Sequence, residues 1–322
     1  MAGVRRSDFT EAMKKEMYDY YLDWEQYQEI TPVYEQLFDI KPSDAAYEKF
    51  NSAIGLGDLL EKPEGEDLKA DAPLEGYTII CKNRTFGRMV RFTYESVEDN
   101  QKYPDFLRTV VGSWKEALVR TKDRFYVKFF NKGALTVGHD VFNNTITGVI
   151  DDATSDLIYD GMAFFDEDHP DKVGNTYDNW VQTRALNPDN LETSWNTFTI
   201  TNNRDERGNE IDLVPDTLLY NPALNFTAKR ILQSTQIPGS ADNDVNVLQN
   251  ILTPIMWQRI SGSDDWFLGC KKKGLMGLDR MAPEMDFYQD ETNKDFYATI
   301  FYRFGGVVTN WRFWMSHNVA AS

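Results

Sequence analysis

The chain has 322 residues and a formal net charge of −17, from 34 basic and 51 acidic side chains. This excess of acid argues against a protein that grips nucleic acid, because phosphate binding needs clustered Lys and Arg, although it leaves open a wall that encloses DNA. Aromatic residues reach 14% of the chain, which is typical either of contacts between subunits or of a large core.

Two further features bear on the cellular setting. No apolar run approaches the roughly 18 residues of a membrane-spanning helix, so we predict no membrane segment. Cys81 and Cys270 are far apart and have no metal or redox spacing. We therefore predict two buried free thiols in a reducing compartment.

The first predicted element is an amphipathic helix over residues 7–30. Asp8 and Glu11 suit the positive N-terminal end of its dipole. Because little chain precedes this helix, we expect its apolar face to pack on the main body or on a neighbouring copy, with an ordinary first core helix as the alternative. That face comprises Phe9, Met13, Met17, Tyr20, Trp24 and Tyr27.

Residues 32–76 lack regular periodicity and predict an extended path. Within them, 61–73 is charged and carries two prolines and a glycine, which favours an exposed loop. Two strand-like runs follow at 76–81 and 88–94, separated by the turn-like 83–87. Together these runs predict a long hairpin that reaches out from the body.

The strongest helical pattern runs from Pro104 to Lys128. Pro104 suits a first helical turn, and Asn131 and Gly133 are stop signals. A helix of about 25 residues would be about 37 Å long, which is long for a compact domain. One face recurs at three- and four-residue steps through Phe106, Leu107, Val110, Val111, Trp114, Leu118 and Phe125.

The second half of the chain mixes short elements. Asp160-Gly161 is a turn signal. Helices are predicted to begin at Pro188 and at the Asn221-Pro222 pair, where asparagine caps and proline fits the first turn. Strands are predicted over 211–214, 218–220 and 266–270.

The end of the chain gives the strongest strand signal. Residues 294–304 alternate, and Gly305-Gly306 is expected to break or bend this strand. A further strand is predicted over 310–315. The apolar face of the first strand comprises Phe296, Ala298, Ile300, Tyr302 and Phe304.

Candidate chemistry is sparse. The three histidines have no ligand spacing, and no nucleophile elbow, phosphate loop or dinucleotide fingerprint occurs. Asp166 and Asp168 beside His169 suggest a metal-dependent hydrolase as one reading, but contiguous acids on a turn more often form a solvated loop. We therefore predict no catalytic residue, no metal and no cofactor.

Several ordered passages resemble the major capsid protein of tailed bacteriophages, near the Mu-like prophage major head subunit group. They are TFGRMVRFTYESVEDN at 85–100, DGMAFFDEDHP at 160–170, DLVPDTLLYNPALNFTAKRIL at 212–232 and YRFGGVVTNWRFW at 302–314. The likeness covers roughly residues 33–318. Each passage is only moderately specific, and their shared order carries the resemblance.

The resemblance implies an α+β capsid fold in four parts. Residues 1–61 would be an N-terminal arm and 62–92 an extended β-hairpin loop. Residues 93–140 and 275–322 would form a peripheral domain with a long spine helix, and 141–274 an axial domain. The implied subunit-interface candidates are Phe9, Met13, Met17, Trp24, Tyr77, Phe86, Met89 and Phe92.

The implied function is structural. The chain would self-assemble into hexamers and pentamers of an icosahedral shell around double-stranded DNA, without sequence-specific binding. Portal, decoration or scaffolding proteins would be further partners. The location would be the virion capsid, assembled in the bacterial host cytoplasm. The alternative is an encapsulin-type nanocompartment that holds protein cargo.

Overall fold

The computed structural model describes residues 32–54, 74–93, 103–135, 157–236, 245–292 and 295–320, with a few single positions between 15 and 68. The apolar face of the helix predicted over 7–30 therefore lies outside the described residues, as does most of the charged loop 61–73. In the described part, no helix combines the length and apolar character that a membrane span requires.

Helices and strands alternate irregularly along the chain, which confirms the predicted α+β class. The helices are Val33–Leu37 (α1), Tyr103–Asn131 (α2), Pro188–Asn196 (α3) and Asn225–Gln233 (α4). The strands are Asp39–Pro42 (β1), Tyr47–Ile54 (β2), Leu74–Lys82 (β3), Arg84–Phe92 (β4), His169–Pro170 (β5), Thr176–Tyr177 (β6), Trp180–Val181 (β7), Thr217–Tyr220 (β8), Thr253–Met256 (β9), Trp266–Gly269 (β10), Leu275–Gln289 (β11), Phe296–Val308 (β12) and Trp314–His317 (β13).

The long helix α2 confirms the central prediction. It has 29 residues, or about 43 Å at about 1.5 Å per residue. It ends at Asn131, and the chain turns at Gly133. A side chain at Gly133 would lie 2.6 Å from the Phe129 carbonyl oxygen and 2.5 Å from the Phe165 ring. Glycine is therefore needed where the helix ends against the second half of the chain.

The first sheet has the strand order β1-β11-β12-β4. The predicted apolar face of β12 is confirmed, since its five residues are all buried. Strand β11 was not predicted, because its alternation is interrupted. Its register against β12 shifts between Asp279 and Met281 and again before Glu284, and Pro283 lies in that second shift. Bulges tolerate a proline that a regular ladder would exclude.

The second sheet has the order β7-β13-β10-β8-β9. Strand β10 pairs antiparallel with β8 and β13, whereas β8 and β9 run parallel. The predicted strand over 211–214 is not formed. The strand predicted over 310–315 is instead a 3₁₀ turn at Trp311–Phe313 followed by β13. Strand β13 near the chain end therefore joins the second sheet, although the predicted axial domain of 141–274 did not include it.

The two predicted helix starts are confirmed. The Asn187 side chain accepts a 2.8 Å hydrogen bond from the backbone N–H of Asn190, with Pro188 in the first turn of α3. The Asn221 side chain accepts at 2.9 Å from the N–H of Ala223, with Pro222 opening a 3₁₀ turn that leads into α4. Both caps satisfy backbone donors that would otherwise lack a partner.

The predicted hairpin of 76–81 with 88–94 is wrong. Strand β3 pairs antiparallel with β2, while β4 pairs antiparallel with β12 in the first sheet. Asn83 separates the two strands, and its side chain donates to Ser43 Oγ and to the Ala45 carbonyl oxygen, each at 2.9 Å. These bonds hold the chain at the point where it passes from one sheet to the other. We call the β2–β3 pair the ribbon.

The boundary of the predicted arm also changes. Helix α1 packs on α2, with the Tyr34 ring stacked 5.0 Å from Tyr126. Strand β1 pairs parallel with β11. Residues 33–42, predicted as part of an arm, therefore belong to the subunit's own body.

A continuous aromatic core joins the two sheets around the end of α2. Phe130 is fully buried, and its ring centroid lies 5.0 Å from Trp314 and 5.1 Å from Phe267 in the second sheet. It also lies 6.3 Å from Phe38, which follows α1. One side chain of α2 thus contacts elements from both halves of the chain.

Three glycines in β11 and β12 form what we call the glycine floor, which comprises Gly277, Gly305 and Gly306. Of the break or bend predicted at Gly305-Gly306, the break is not found, because β12 continues to Val308. The Tyr126 hydroxyl donates to the Gly305 carbonyl oxygen at 3.0 Å. A Cβ at Gly277 would lie 2.7 Å from that hydroxyl. The glycines therefore allow α2 to approach the sheet closely.

Candidate subunit-assembly surface

The predicted interface residues fall in different environments. Phe9, Met13, Met17 and Trp24 lie outside the described residues. Phe92 is 4% exposed within the core between α2 and the first sheet, so its prediction as an interface residue is wrong. The Phe86 ring stacks 4.6 Å from Phe304 and also packs on the subunit's own core. Met89 is 54% exposed.

Tyr77 lies where the ribbon meets the body. Its ring is half-buried, 5.1 Å from the Tyr159 ring, with the Lys172 ammonium 3.9 Å from its centroid. Burial and the nearby Glu206 raise the pKa of Tyr77 to about 12, so the ring remains neutral under Lys172. This cation–π contact links the ribbon to a turn after β5.

That turn spans 171–175 and has the sequence Asp-x-x-Gly-Asn. The Asp171 side chain accepts from the backbone N–H groups of Val173, Gly174 and Asn175 at 2.7–2.9 Å. Burial alone would raise the pKa of Asp171, but these hydrogen bonds outweigh it and lower the pKa. Gly174 has a φ of +100°, which glycine adopts without strain.

A second turn with the same sequence pattern spans 205–209. The Asp205 side chain accepts from the N–H of Asn209 at 2.8 Å, and Gly208 has a φ of +84°. The two turns lie side by side, because the Lys172 N–H donates to the Glu206 carbonyl oxygen at 3.1 Å. Both turns are held by their own backbone donors, so the surface beneath the ribbon is locally preorganised.

A buried ion pair supports the second turn. Arg312 Nη1 lies 2.7 Å from Glu206 Oε1, and Arg312 Nε donates to the Arg204 carbonyl oxygen at 2.8 Å. Burial raises the pKa of Glu206, and Arg312 opposes that shift. A cavity of about 410 Å³ lies between these groups and Tyr77. The ribbon therefore meets the body through the aromatic contact of Tyr77, and the groups across the cavity from that contact are charged.

A second surface feature is an apolar groove between the start of α3 and α4. It has a volume of about 350 Å³ and includes Val247 and Ile231, with Glu192 and Arg230 among its charged residues. Phe226, on α4, is 76% exposed, and Val247 is 74% exposed. Large apolar side chains this exposed, grouped near one groove, are typical of a contact with another chain.

The metal-site hypothesis is wrong in its geometry. His169 is fully buried, with Nδ1 2.7 Å from Asp160 Oδ2 and Nε2 3.1 Å from Asn179 Oδ1. Its ring stacks 4.1 Å from Trp311. Both ring nitrogens are therefore occupied away from Asp166 and Asp168. Within the described residues, no group of three or more His, Cys, Asp or Glu side chains could hold a metal.

The nearest approach to a nucleophile–base pair is also structural. Ser194 Oγ lies 2.8 Å from His317 Nε2, and Arg184 donates to Ser194 Oγ at 2.9 Å. Both Ser194 and His317 are fully buried, and the His317 ring stacks 3.5 Å from Trp266. Because a substrate cannot reach this pair, we assign it to packing in the second sheet.

The two cysteines are free and buried, as predicted. Burial raises the pKa of the Cys81 thiol to about 12 and that of the Cys270 thiol to about 11. Such thiols are poor nucleophiles near neutral pH. The sequence predicts a turn at Arg207-Gly208-Asn209, and the structure confirms it. The matching turn at 171–175 was not predicted, although it has the same turn chemistry.

Comparisons with known proteins bear on the family and the fold of the chain. The family described as phage capsid protein matches residues 77–315. A search of curated protein sequences found no significant match. The Mu-like subgroup therefore stays a prediction.

Solved structures with a similar fold are capsids at low sequence identity. The capsid of cyanophage P-SCSP1u is 12% identical, with a TM-score of 0.53, covering 91% of this chain and 89% of that one. The capsid of a native GTA particle is 11% identical, with a TM-score of 0.56 and 91% of each chain covered. The capsid of Ralstonia phage GP4 is 12% identical, with a TM-score of 0.54, covering 88% and 87%.

Proposed function

The chain belongs to the phage capsid protein family, and we propose that its copies join into hexamers and pentamers through the ribbon and the groove between α3 and α4. It is a major capsid protein, whose copies form an icosahedral shell. The family match over 77–315 carries this conclusion. That match favours a phage head over the encapsulin-type alternative.

The ribbon supports the proposal that copies complete one another. An isolated pair of strands is only marginally stable in water. The described ribbon contacts its own body through Tyr77, Ile79 and Cys81 of β3 and through Phe50 of β2. Tyr47, on the other strand, is 43% exposed. We infer that a neighbouring copy covers the rest of the ribbon.

The groove near Phe226 supports a second contact. A ring of identical subunits needs two different, complementary surfaces on each copy. Phe226 and Val247 supply exposed apolar area, and aromatic side chains often dominate the binding energy of such contacts. We assign this groove to contacts between axial domains near the capsomer centre.

We propose the remaining domain and partner assignments as follows. The ribbon, together with residues 55–73 that connect its strands in the sequence, takes the place of the predicted 62–92 loop. Strand β4 then belongs to the peripheral domain, with residues 93–140 and 275–313. The axial domain comprises 141–274 with β13. We propose that the N-terminal arm contacts other copies. We also propose enclosed double-stranded DNA, a portal, decoration or scaffolding partners, assembly in the host cytoplasm and no catalytic role.

Negative-stain imaging of the purified full-length chain tests the proposal. We expect closed shells under assembly conditions. A chain that stays monomeric under every condition tried, and that is absent as the main protein of virions, would contradict it.

Matched variants test the groove. Val247→Ser should leave the subunit folded and reduce shell yield, because Val247 lines the groove and is 74% exposed. Ile200→Ser removes an aliphatic side chain that is 68% exposed outside the groove lining, and should preserve shell yield. Equal yields from both variants would rule out the groove as an assembly contact.

A further inference from the structure

The exposed side of α2 has a charge opposite to that of the whole chain. From residue 120 onward, its most exposed positions recur every four residues and are all basic. We call this set the basic stripe, and it comprises Arg120, Arg124, Lys128 and Lys132. Lys132 continues the helical path, since its N–H donates to the Lys128 carbonyl oxygen at 2.9 Å.

The stripe has no ion-pair partner in the described part of its own subunit. Among the described residues, none of its four side chains makes an ion pair or a side-chain hydrogen bond. Other charges on α2 are paired on different sides of the helix. Lys122 lies 2.8 Å from Asp279, and Asp123 lies 2.5 Å from Arg259. The acidic side chain of α2 closest to the stripe on the exposed side is Glu116, one turn before Arg120.

Helix energetics do not account for the stripe. Cations near the C-terminal end of a helix stabilise it through the dipole, but this effect is confined to the last turn. Lys128 lies in that turn, whereas Arg120 and Arg124 lie well before it. Four like charges at four-residue spacing also repel one another by a few tenths of a kcal/mol per pair. The stripe therefore points to an external anion.

We propose that the basic stripe binds the phosphate backbone of the enclosed double-stranded DNA. This inference rests on the proposed function. The stripe is about 18 Å long at about 1.5 Å per residue. Duplex DNA carries one negative charge per about 1.7 Å of axis, counting both strands, so the length of duplex beside the stripe carries about ten phosphates. Only those on its near side can contact the four cations.

The surroundings of the stripe favour DNA over an acidic protein segment. Protein partners are held mainly by buried apolar and aromatic anchors. Between residues 110 and 135, where side chains are described, no large apolar side chain is exposed. The stripe therefore offers charge without an apolar anchor, which suits a phosphate backbone.

The net charge of the chain limits the strength of this contact. Charges further apart than about 8–10 Å are largely screened at physiological salt. The stripe therefore attracts DNA at contact, while the chain as a whole, at −17, does not draw it from a distance. Phosphate contacts carry no sequence information. The shell would hold DNA of any sequence loosely and release it.

The test measures binding of the full-length, unassembled chain to a 30-base-pair duplex across a salt series by fluorescence anisotropy. Two quadruple variants each change the net charge from −17 to −21. The stripe variant carries Arg120→Gln, Arg124→Gln, Lys128→Gln and Lys132→Gln. The control variant removes four exposed cations that lie outside the stripe, the ribbon and the groove, through Arg88→Gln, Lys229→Gln, Lys271→Gln and Lys272→Gln.

We expect wild type and control to share a slope of log affinity against log salt of about −3.6, from four phosphate contacts at about −0.9 each. The stripe variant should lose most of that slope and about 100-fold in affinity at about 50 mM salt. An Arg120→Lys, Arg124→Lys variant should retain the slope, since it keeps the charges. Folding of every variant is checked by circular dichroism.

Three outcomes would overturn the inference. They are a wild-type chain that does not bind the duplex at about 50 mM salt, equal losses in the stripe and control variants, and a stripe variant that binds DNA normally but no longer forms shells. The last result would assign the stripe to an acidic surface of another copy. Failure of wild type to form shells would instead count against the proposed function. The salt slope is measured on the unassembled chain and does not depend on shell formation.

Discussion

Replacing Phe130 by alanine should be among the most damaging single changes to the subunit. The ring is fully buried and lies within 5.0–6.4 Å of the rings of Phe38 after α1, of the 164–165 segment and of the second sheet. Phe→Ala in a packed core costs about 3–5 kcal/mol. Because a typical stability is about 5–15 kcal/mol, this loss is a large fraction of the total free energy of unfolding.

Urea denaturation of the unassembled chain measures this cost. Trp257 and Trp314 have ring centroids 5.9 Å and 5.0 Å from Phe130, so tryptophan fluorescence reports on the site directly. We expect a lower midpoint at an unchanged slope. Phe226→Ala is the matched control and should lie within about 0.5 kcal/mol of wild type, because that ring is mostly exposed. A Phe130→Ala cost below about 1 kcal/mol would refute the central role of this ring.

Three further predictions follow from buried groups. Burial holds the pKa of His317 well below 6.5, so the unfolded chain binds a proton that the folded chain excludes. The free energy of unfolding should therefore fall by about 1 kcal/mol between pH 6.5 and 5.5. Urea midpoints across that range should show this fall for wild type and a smaller fall for His317→Asn, and equal falls would contradict it. Cys81 and Cys270, with pKa values raised to about 12 and 11, should resist iodoacetamide at pH 8 until urea unfolds the chain; rapid labelling of the folded chain would disprove their burial. Gly277→Ala should destabilise by about 1–3 kcal/mol, because the new Cβ would lie 2.7 Å from the Tyr126 hydroxyl, and thermal unfolding at wild-type temperature would count against that clash.

Local periodicity predicted the elements that have one buried face. The sequences of helix α2 and strand β12 both show a regular apolar period, because each element buries one face against the other. Strand β11 and the ribbon strand β2 escaped prediction. Their registers shift at Met281 and between Asn51 and Ala53, and each shift interrupts the alternation on which a strand prediction depends.

Strand pairing could not be predicted from neighbouring residues. Strands β3 and β4 are separated by Asn83 alone, yet they belong to different sheets. The partner of β4 lies about 200 residues later in the chain, and the sequence near β4 contains no signal for it. The same limit applies to the assembly surface: the exposure of Phe226 and the burial of Phe92 depend on long-range packing, so residue type alone did not distinguish them.

The glycine floor has a mechanical consequence for the shell. Tyr126 packs against the glycines of β11 and β12 and its hydroxyl donates to the Gly305 carbonyl oxygen, so α2 cannot slide or roll over the sheet without breaking these contacts. The helix and sheet should therefore move as one stiff plate. Any change in the curvature or diameter of the particle must then be absorbed where a subunit has fewer constraints, and the ribbon, joined to its body at one end, is the part of the described chain that can bend.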